Sequence, residues 1–228
     1  MFKKGFQAVH SGFTLAEVLI TLGIIGVVAA MTMPTLMNAT NGAQYKTAYK
    51  KALSVISQAI VLNLALDDYD LGTTTSTDTT GTSIFALLNN RMNVVRTETG
   101  SIEGYSVLIG DSATAVGSAA ATTTPIADTN YTVFFNDGIM FTFKKAAINC
   151  TEANTIGETA AAPSSNNCYG FIDVNGTKAP NRETTCSNDP EDDDDCIVDN
   201  PSDIYPVVFY DQGIYPATAA GKAVLYKK

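Results

Sequence analysis

The sequence contains no tryptophan and a single histidine, His10, among 228 residues. One imidazole cannot make a His pair or a His-rich metal site, and His10 lies within a dozen residues of the N-terminus, away from any triad partners, so acid–base work would fall to carboxylates, lysines or thiols. Basic residues are also scarce: 14 Lys and Arg stand against 23 Asp and Glu, a formal net charge of −9. Contact with a phosphate backbone needs clustered cations, so nucleic acid is not an expected partner. Cysteine is missing from the first 149 residues, and Cys150, Cys168, Cys186 and Cys196 include no Cys-x-x-Cys. A zinc site would need all four of these thiolates at irregular spacing. No nucleophile–base constellation is visible, and the chain is not expected to be an enzyme.

What is present begins with a segment almost free of charge. From Phe13 to Met37 the only ionisable side chain is Glu17, and the residues before it carry Lys3 and Lys4 but no acid. At about 1.5 Å per residue, Phe13 to Met33 give roughly 30 Å of helix, the thickness of a bilayer core. The basic flank would stay cytoplasmic and the remainder would be exported. A secretory signal peptide cut near Val28-Ala29-Ala30 is the simplest alternative. Its apolar region would normally be only about 7–15 residues, without a glutamate. A buried soluble helix fits neither the length nor the basic flank. A carboxylate inside a retained membrane helix costs roughly 2.5–3.5 kcal/mol, so it calls for a partner unless it snorkels to the interface.

Gly12-Phe13-Thr14-Leu15-Ala16-Glu17, running into Val18-Leu19-Ile20, resembles the N-terminus of type IV pilins and type II secretion pseudopilins. The resemblance implies that a prepilin peptidase cuts after Gly12 and N-methylates Phe13. The family's glutamate falls on Glu17, which would face the N-terminal amine of a neighbouring subunit and set the register of assembly. Its frequent proline falls on Pro34. Residue chemistry is compatible with these roles. Gly12 lets a protease approach the backbone, and Gly23 and Gly26 either permit close helix packing or are simply tolerated. Pro34 removes a helical hydrogen bond, so it should kink the helix or end it near Met33.

Beyond Pro34 apolar residues recur in helical steps: Tyr45, Tyr49, Leu53, Ile56, Ile60, and beside them Ala48, Ala52, Val55, Ala59, Leu62. This is one broad stripe meant for a sheet, with Lys46, Lys50, Lys51 and Gln58 on the other side. Asp67-Asp68 and Leu71-Gly72 should end a stem that runs from Phe13 to about Leu66. Thr73–Ser83 and Ser112–Thr124 read as exposed loops. A short helix is expected over Ile84–Val95 and strands over Tyr105–Ile109, Cys168–Val174 and Ile204–Tyr210. Tyr131–Phe135 and Ile139–Phe143 flank Asn136-Asp137-Gly138, a hairpin signal. The expected fold is α+β: a long N-terminal stem helix, membrane-spanning in its first half, packed on a small antiparallel-sheet head with disulfide-tied loops. The expected boundaries are 1–12 for the leader, 13–36 for the transmembrane and assembly helix, 37–66 for its amphipathic continuation and 67–228 for the exported head.

An even count of exported cysteines suggests disulfides, each adding roughly 2–4 kcal/mol. Of three possible pairings, Cys150–Cys168 with Cys186–Cys196 closes the shortest loops and is favoured. Residues 186–203 hold eight acids and no Lys or Arg. The plain reading is a solvated, self-repelling loop. The sharper one is calcium, for which Asp173, Asn175, Asp199 and Asp203 are the candidate ligands, although the closing glutamate of a calcium loop is missing. No other cofactor is expected. The resemblance as a whole implies a non-enzymatic subunit of a type II secretion pseudopilus or type IV pilus. Its partners would be the prepilin peptidase, other pilin subunits in a helical fibre and the bacterial inner membrane, crossed once with the N-terminus cytoplasmic. The alternative is a secreted acidic protein with a cleaved signal peptide that binds a metal or a partner.

Overall fold

The computed structural model describes residues 12, 14–109, 122–124, 126–157, 167–188 and 195–227. The chain divides into two compact units at Thr40/Asn41. A helix, α1 (Leu15–Asp67, 53 residues), crosses that boundary. It continues through Pro34, so the proline does not terminate it.

Within the first unit, Leu15–Met33 has a mean hydropathy of 2.2 and none of it is buried. Its hydroxyls are satisfied internally: Thr21 Oγ1 donates to the Val18 carbonyl at 3.0 Å and Thr32 Oγ1 to the Val28 carbonyl at 3.0 Å. Such back-bonding lets a threonine sit on an apolar helix without demanding an outside partner.

In the second unit α1 presents Tyr49, Ala52, Leu53, Ile56 and Ile60 to the core. It ends where Asp68 takes a left-handed conformation (φ 59°) and its N–H reaches the Leu64 carbonyl. Ser83 then caps α2 (Ile84–Arg91), accepting from the Ala86 N–H at 3.0 Å. This helix is shorter than its sequence pattern suggests. Met92 is already extended, and β-branched Val94 and Val95 open β1 (Val94–Thr99). Next come β2 (Val107–Ile109) and β3 (Thr122–Thr124), paired antiparallel. Thr122–Thr124 was expected in a loop; threonine is β-branched and suits a strand. They are followed by β4 (Asn130–Phe135), β5 (Met140–Lys144), α3 (Glu152–Thr155), β6 (Tyr169–Asp173), β7 (Ile204–Tyr210), β8 (Gly213–Pro216) and α4 (Ala219–Tyr226).

Six strands form one sheet in the order β1-β4-β5-β6-β7-β8, every neighbouring pair antiparallel. The β4–β5 hairpin turns at Asn136-Asp137-Gly138, where Gly138 adopts the positive φ (85°) that a Cβ disfavours. Alternation sorts the side chains. Val133, Phe141, Phe143, Tyr205, Val207 and Phe209 face the core that holds α1. Met140, Phe171 and Ile204 turn the other way, to a second core with Tyr105 and Val107. Tyr49 of α1 stacks on Tyr205 of β7 with ring centroids 3.9 Å apart. The architecture is therefore α+β. Disulfides join Cys150 to Cys168 inside the main core and Cys186 to Cys196 beside α4.

One part of the helical stripe is not covered. Val55 and Leu62 remain 39% and 52% exposed, on a flank of α1 beside the residues it buries in the core.

Candidate functional site

The N-terminal residues form a start signal for α1. Thr14 donates its N–H to Glu17 Oε2 at 2.9 Å and its hydroxyl to the same oxygen at 2.8 Å. The Glu17 N–H returns a bond to Thr14 Oγ1 at 3.2 Å. This is a reciprocal capping box, in which a Thr and a Glu three residues apart satisfy donors that the first helical turn leaves open. Glu17 thus has a partner inside its own chain, a capping role for which the Thr-x-x-Glu spacing is the sequence signal. Gly12 is exposed just before the cap, while Phe13 lies outside the described residues. Nothing lies within 4 Å of a Cβ built at Gly23 or Gly26, so both leave an open helix surface. Pro34 lies within the helical backbone of α1.

The acidic candidates behave differently from one another. Asp173 and Asp203 are both fully buried. Asp173 accepts the Tyr105 hydroxyl at 2.7 Å and the Asn175 N–H at 3.1 Å. Asp203 accepts the N–H groups of Asn181 and Arg182 at 2.8 and 2.9 Å and the Ser202 hydroxyl at 3.2 Å. Burial pushes the Asp173 carboxyl up to about 7, helped by the neighbouring Asp203 charge and opposed by the Tyr105 hydrogen bond. Burial likewise raises the Tyr105 hydroxyl. The Asn175 side chain donates to the Tyr45 hydroxyl and to the Ala179 carbonyl, both at 3.4 Å. Asp199 is exposed and its N–H goes to Ser187 Oγ at 3.0 Å. Asp173, Asn175 and Asp203 are thus joined in a lock of N–H and O–H donors that holds the 174–184 loop to the sheet. Asp199 is not part of it. Among the described residues no group of three or more His, Cys, Asp or Glu could hold a metal ion. Cation binding gains no support from this arrangement, since donors already occupy the buried carboxylates.

The exposed apolar span, the cap at its start and the glycine before the cap are what a processing and assembly signal would need. Residues 8–33 match the family model for the prokaryotic N-terminal methylation motif. The chain carries that motif. It is the hallmark of the prepilin-type signal of type IV pilins and pseudopilins. The motif takes in Gly12, Phe13 and Glu17 and ends at Met33, the residue where the candidate membrane span also ends. No curated protein and no solved structure was found to match the chain.

Proposed function

We propose that this chain is a non-enzymatic structural subunit, a pseudopilin or minor pilin, of a type II secretion pseudopilus or a type IV pilus. The observation that carries the reading is the methylation motif over residues 8–33, set on a helix whose 19-residue apolar stretch has no buried residue. A helix that leaves such a face open, and buries none of it within its own chain, is suited to lipid first and to other helices afterwards. In this reading residues 1–12 are the leader, removed by a prepilin peptidase after Gly12. Residues 13–36 span the inner membrane once, with the N-terminus cytoplasmic, and later pack in the fibre. Residues 37–66 continue the stem and 67–228 form the exported head. Phe13 becomes the methylated terminus, and Glu17 meets the terminal amine of a neighbouring subunit. The cap from Thr14 supports this role, because it holds the carboxylate at the helix start.

Mass spectrometry of the mature chain from cells that contain a prepilin peptidase tests the proposal. The expected N-terminus is N-methyl-Phe13. A terminus at Met31 would instead establish signal-peptide cleavage and a secreted protein, and would overturn the subunit reading.

A further inference from the structure

The capping box at Thr14 sets where α1 begins. The Thr14 carbonyl accepts the first helical bond, from the Val18 N–H at 3.3 Å, and its hydroxyl accepts the Glu17 N–H at 3.2 Å. The Glu17 carboxylate closes the box on the Thr14 N–H and hydroxyl at 2.9 and 2.8 Å. Leu15 is therefore the first helical residue, and Gly12 stays exposed and outside the helix. The Gly12–Phe13 peptide bond, proposed above as the cleavage site, falls immediately before the cap.

The sequence also offers a rival start. Ser11 stands three residues before Thr14, and serine ranks with the best N-cap residues. A helix begun at Ser11 would take Gly12 and Phe13 as its first two residues, drawing the scissile bond into its first turn. That start lacks a capping box, because its third helical position holds Thr14, with no carboxylate or carboxamide to reach back to the serine N–H. It would also make Gly12 helical, and glycine is the poorest helix former after proline. The choice between the two starts thus turns on Thr14 and Glu17 against Ser11.

A peptidase needs a backbone that is exposed and not tied into helical hydrogen bonds. Resting on the subunit reading, we infer that Thr14 is a positioning residue for prepilin cleavage: its hydroxyl holds the helix start at Leu15 and so keeps the Gly12–Phe13 bond open to the enzyme. In that step water adds across the bond, leaving the Gly12 carboxylate on the leader and a free Phe13 amine on the mature chain. Ser11 departs with the leader, so the rival start exists only in the uncut chain.

The full chain in detergent, incubated with a prepilin peptidase, tests the inference. The Phe13 terminus is followed by mass spectrometry, and amide hydrogen exchange is read on the uncut chain. Thr14→Ser keeps a cap and should be cut at the wild-type rate. Thr14→Val matches the shape without the hydroxyl and should be cut about fivefold more slowly. Its Leu15 and Ala16 amides, which precede the first helical bond in the wild type, should become protected. A start at Ser11 would pair them with the Ser11 and Gly12 carbonyls. Adding Ser11→Ala should return both amides to fast exchange. Glu17→Ala retains the N–H that Thr14 Oγ1 accepts, so it should be slowed less than Thr14→Val. Equal cutting of wild type and Thr14→Val would overturn the inference alone, as would slower cutting with no new protection at Leu15 and Ala16. A wild type left uncut after Gly12 would sink the subunit reading and this inference with it.

Discussion

The same helix lives under two regimes. Before Thr40, Leu15–Met33 is apolar on every side and none of that window is buried. After Asn41, one side of α1 buries Tyr49, Leu53, Ile56 and Ile60 to 6% exposure or less, against a sheet that supplies the rest of the core. A helix that is apolar all round has its residues chosen by an environment outside the chain, whereas a striped helix has them chosen by the chain's own tertiary partners. Substitutions in the two stretches should therefore be felt by different measurements.

The largest separation is expected between Phe141→Ala and Ile24→Ala. Phe141 is 2% exposed and packs on Phe143 and Phe209, so its truncation should cost about 3–5 kcal/mol in the unfolding of the head. Ile24 is 61% exposed and should leave head unfolding unchanged in detergent-solubilised protein. Equal destabilisation by both would break the division between the two stretches.

Removing Cys150–Cys168 as a double serine variant should cost roughly 2–4 kcal/mol. Cys186–Cys196 separates residues by 10 rather than 18, so its loss should cost about 0.5 kcal/mol less on loop entropy alone. Urea midpoints of the two double variants check the order.

A third test concerns the acidity hidden in the head. The Asp173 carboxyl is held up to about 7 in the fold, against an ordinary 3.8, so the folded chain holds a proton that the unfolded chain has released. This contribution to stability is complete below the ordinary value and is lost as pH rises to about 7, by at most about 1.4 kcal/mol per pH unit, and levels off above. Asp173→Asn should flatten the fall in melting temperature between pH 5 and 7. An unchanged slope would show that this carboxyl does not titrate there.

The smallest effect on the head, namely none, is expected from Glu17→Ala and Glu17→Gln, but the pair sharpens what Glu17 does. Glutamine can still close a capping box and has no charge. If pairing with a neighbouring amine governs assembly, both variants should drop out of sheared fibres. Normal incorporation of the glutamine variant would reduce Glu17 to a cap.

Much of this organisation was legible because it is written in short stretches. The Gly12–Glu17 spacing, the apolar run to Met33 and the Asn136-Asp137-Gly138 turn each depend on residues within one turn or one span. β7 occupies Ile204–Tyr210, the stretch its apolar run suggested. Errors came where distant partners decided. Val94 and Val95 join a strand because β4 is there to pair with, with Val94 opposite Phe135. Thr122–Thr124 pairs with β2 for the same reason. β8 and α4 are too short to carry a pattern of their own.

The sequence alone determined the signal, the span and the helix that follows, since hydropathy, capping and turn chemistry act between near neighbours. Only the tertiary structure decided what the acids and the stripe do. Asp173 and Asp203 read as candidate calcium ligands until the fold brought Tyr105, 68 residues from Asp173, and the 181–182 backbone, about 22 residues before Asp203, within hydrogen-bonding distance. Val55 and Leu62 read as core until the fold left them 39% and 52% exposed beside the buried Ala52, Ile56 and Ala59. Burial is a property of what arrives from elsewhere in the chain, and no local pattern records it.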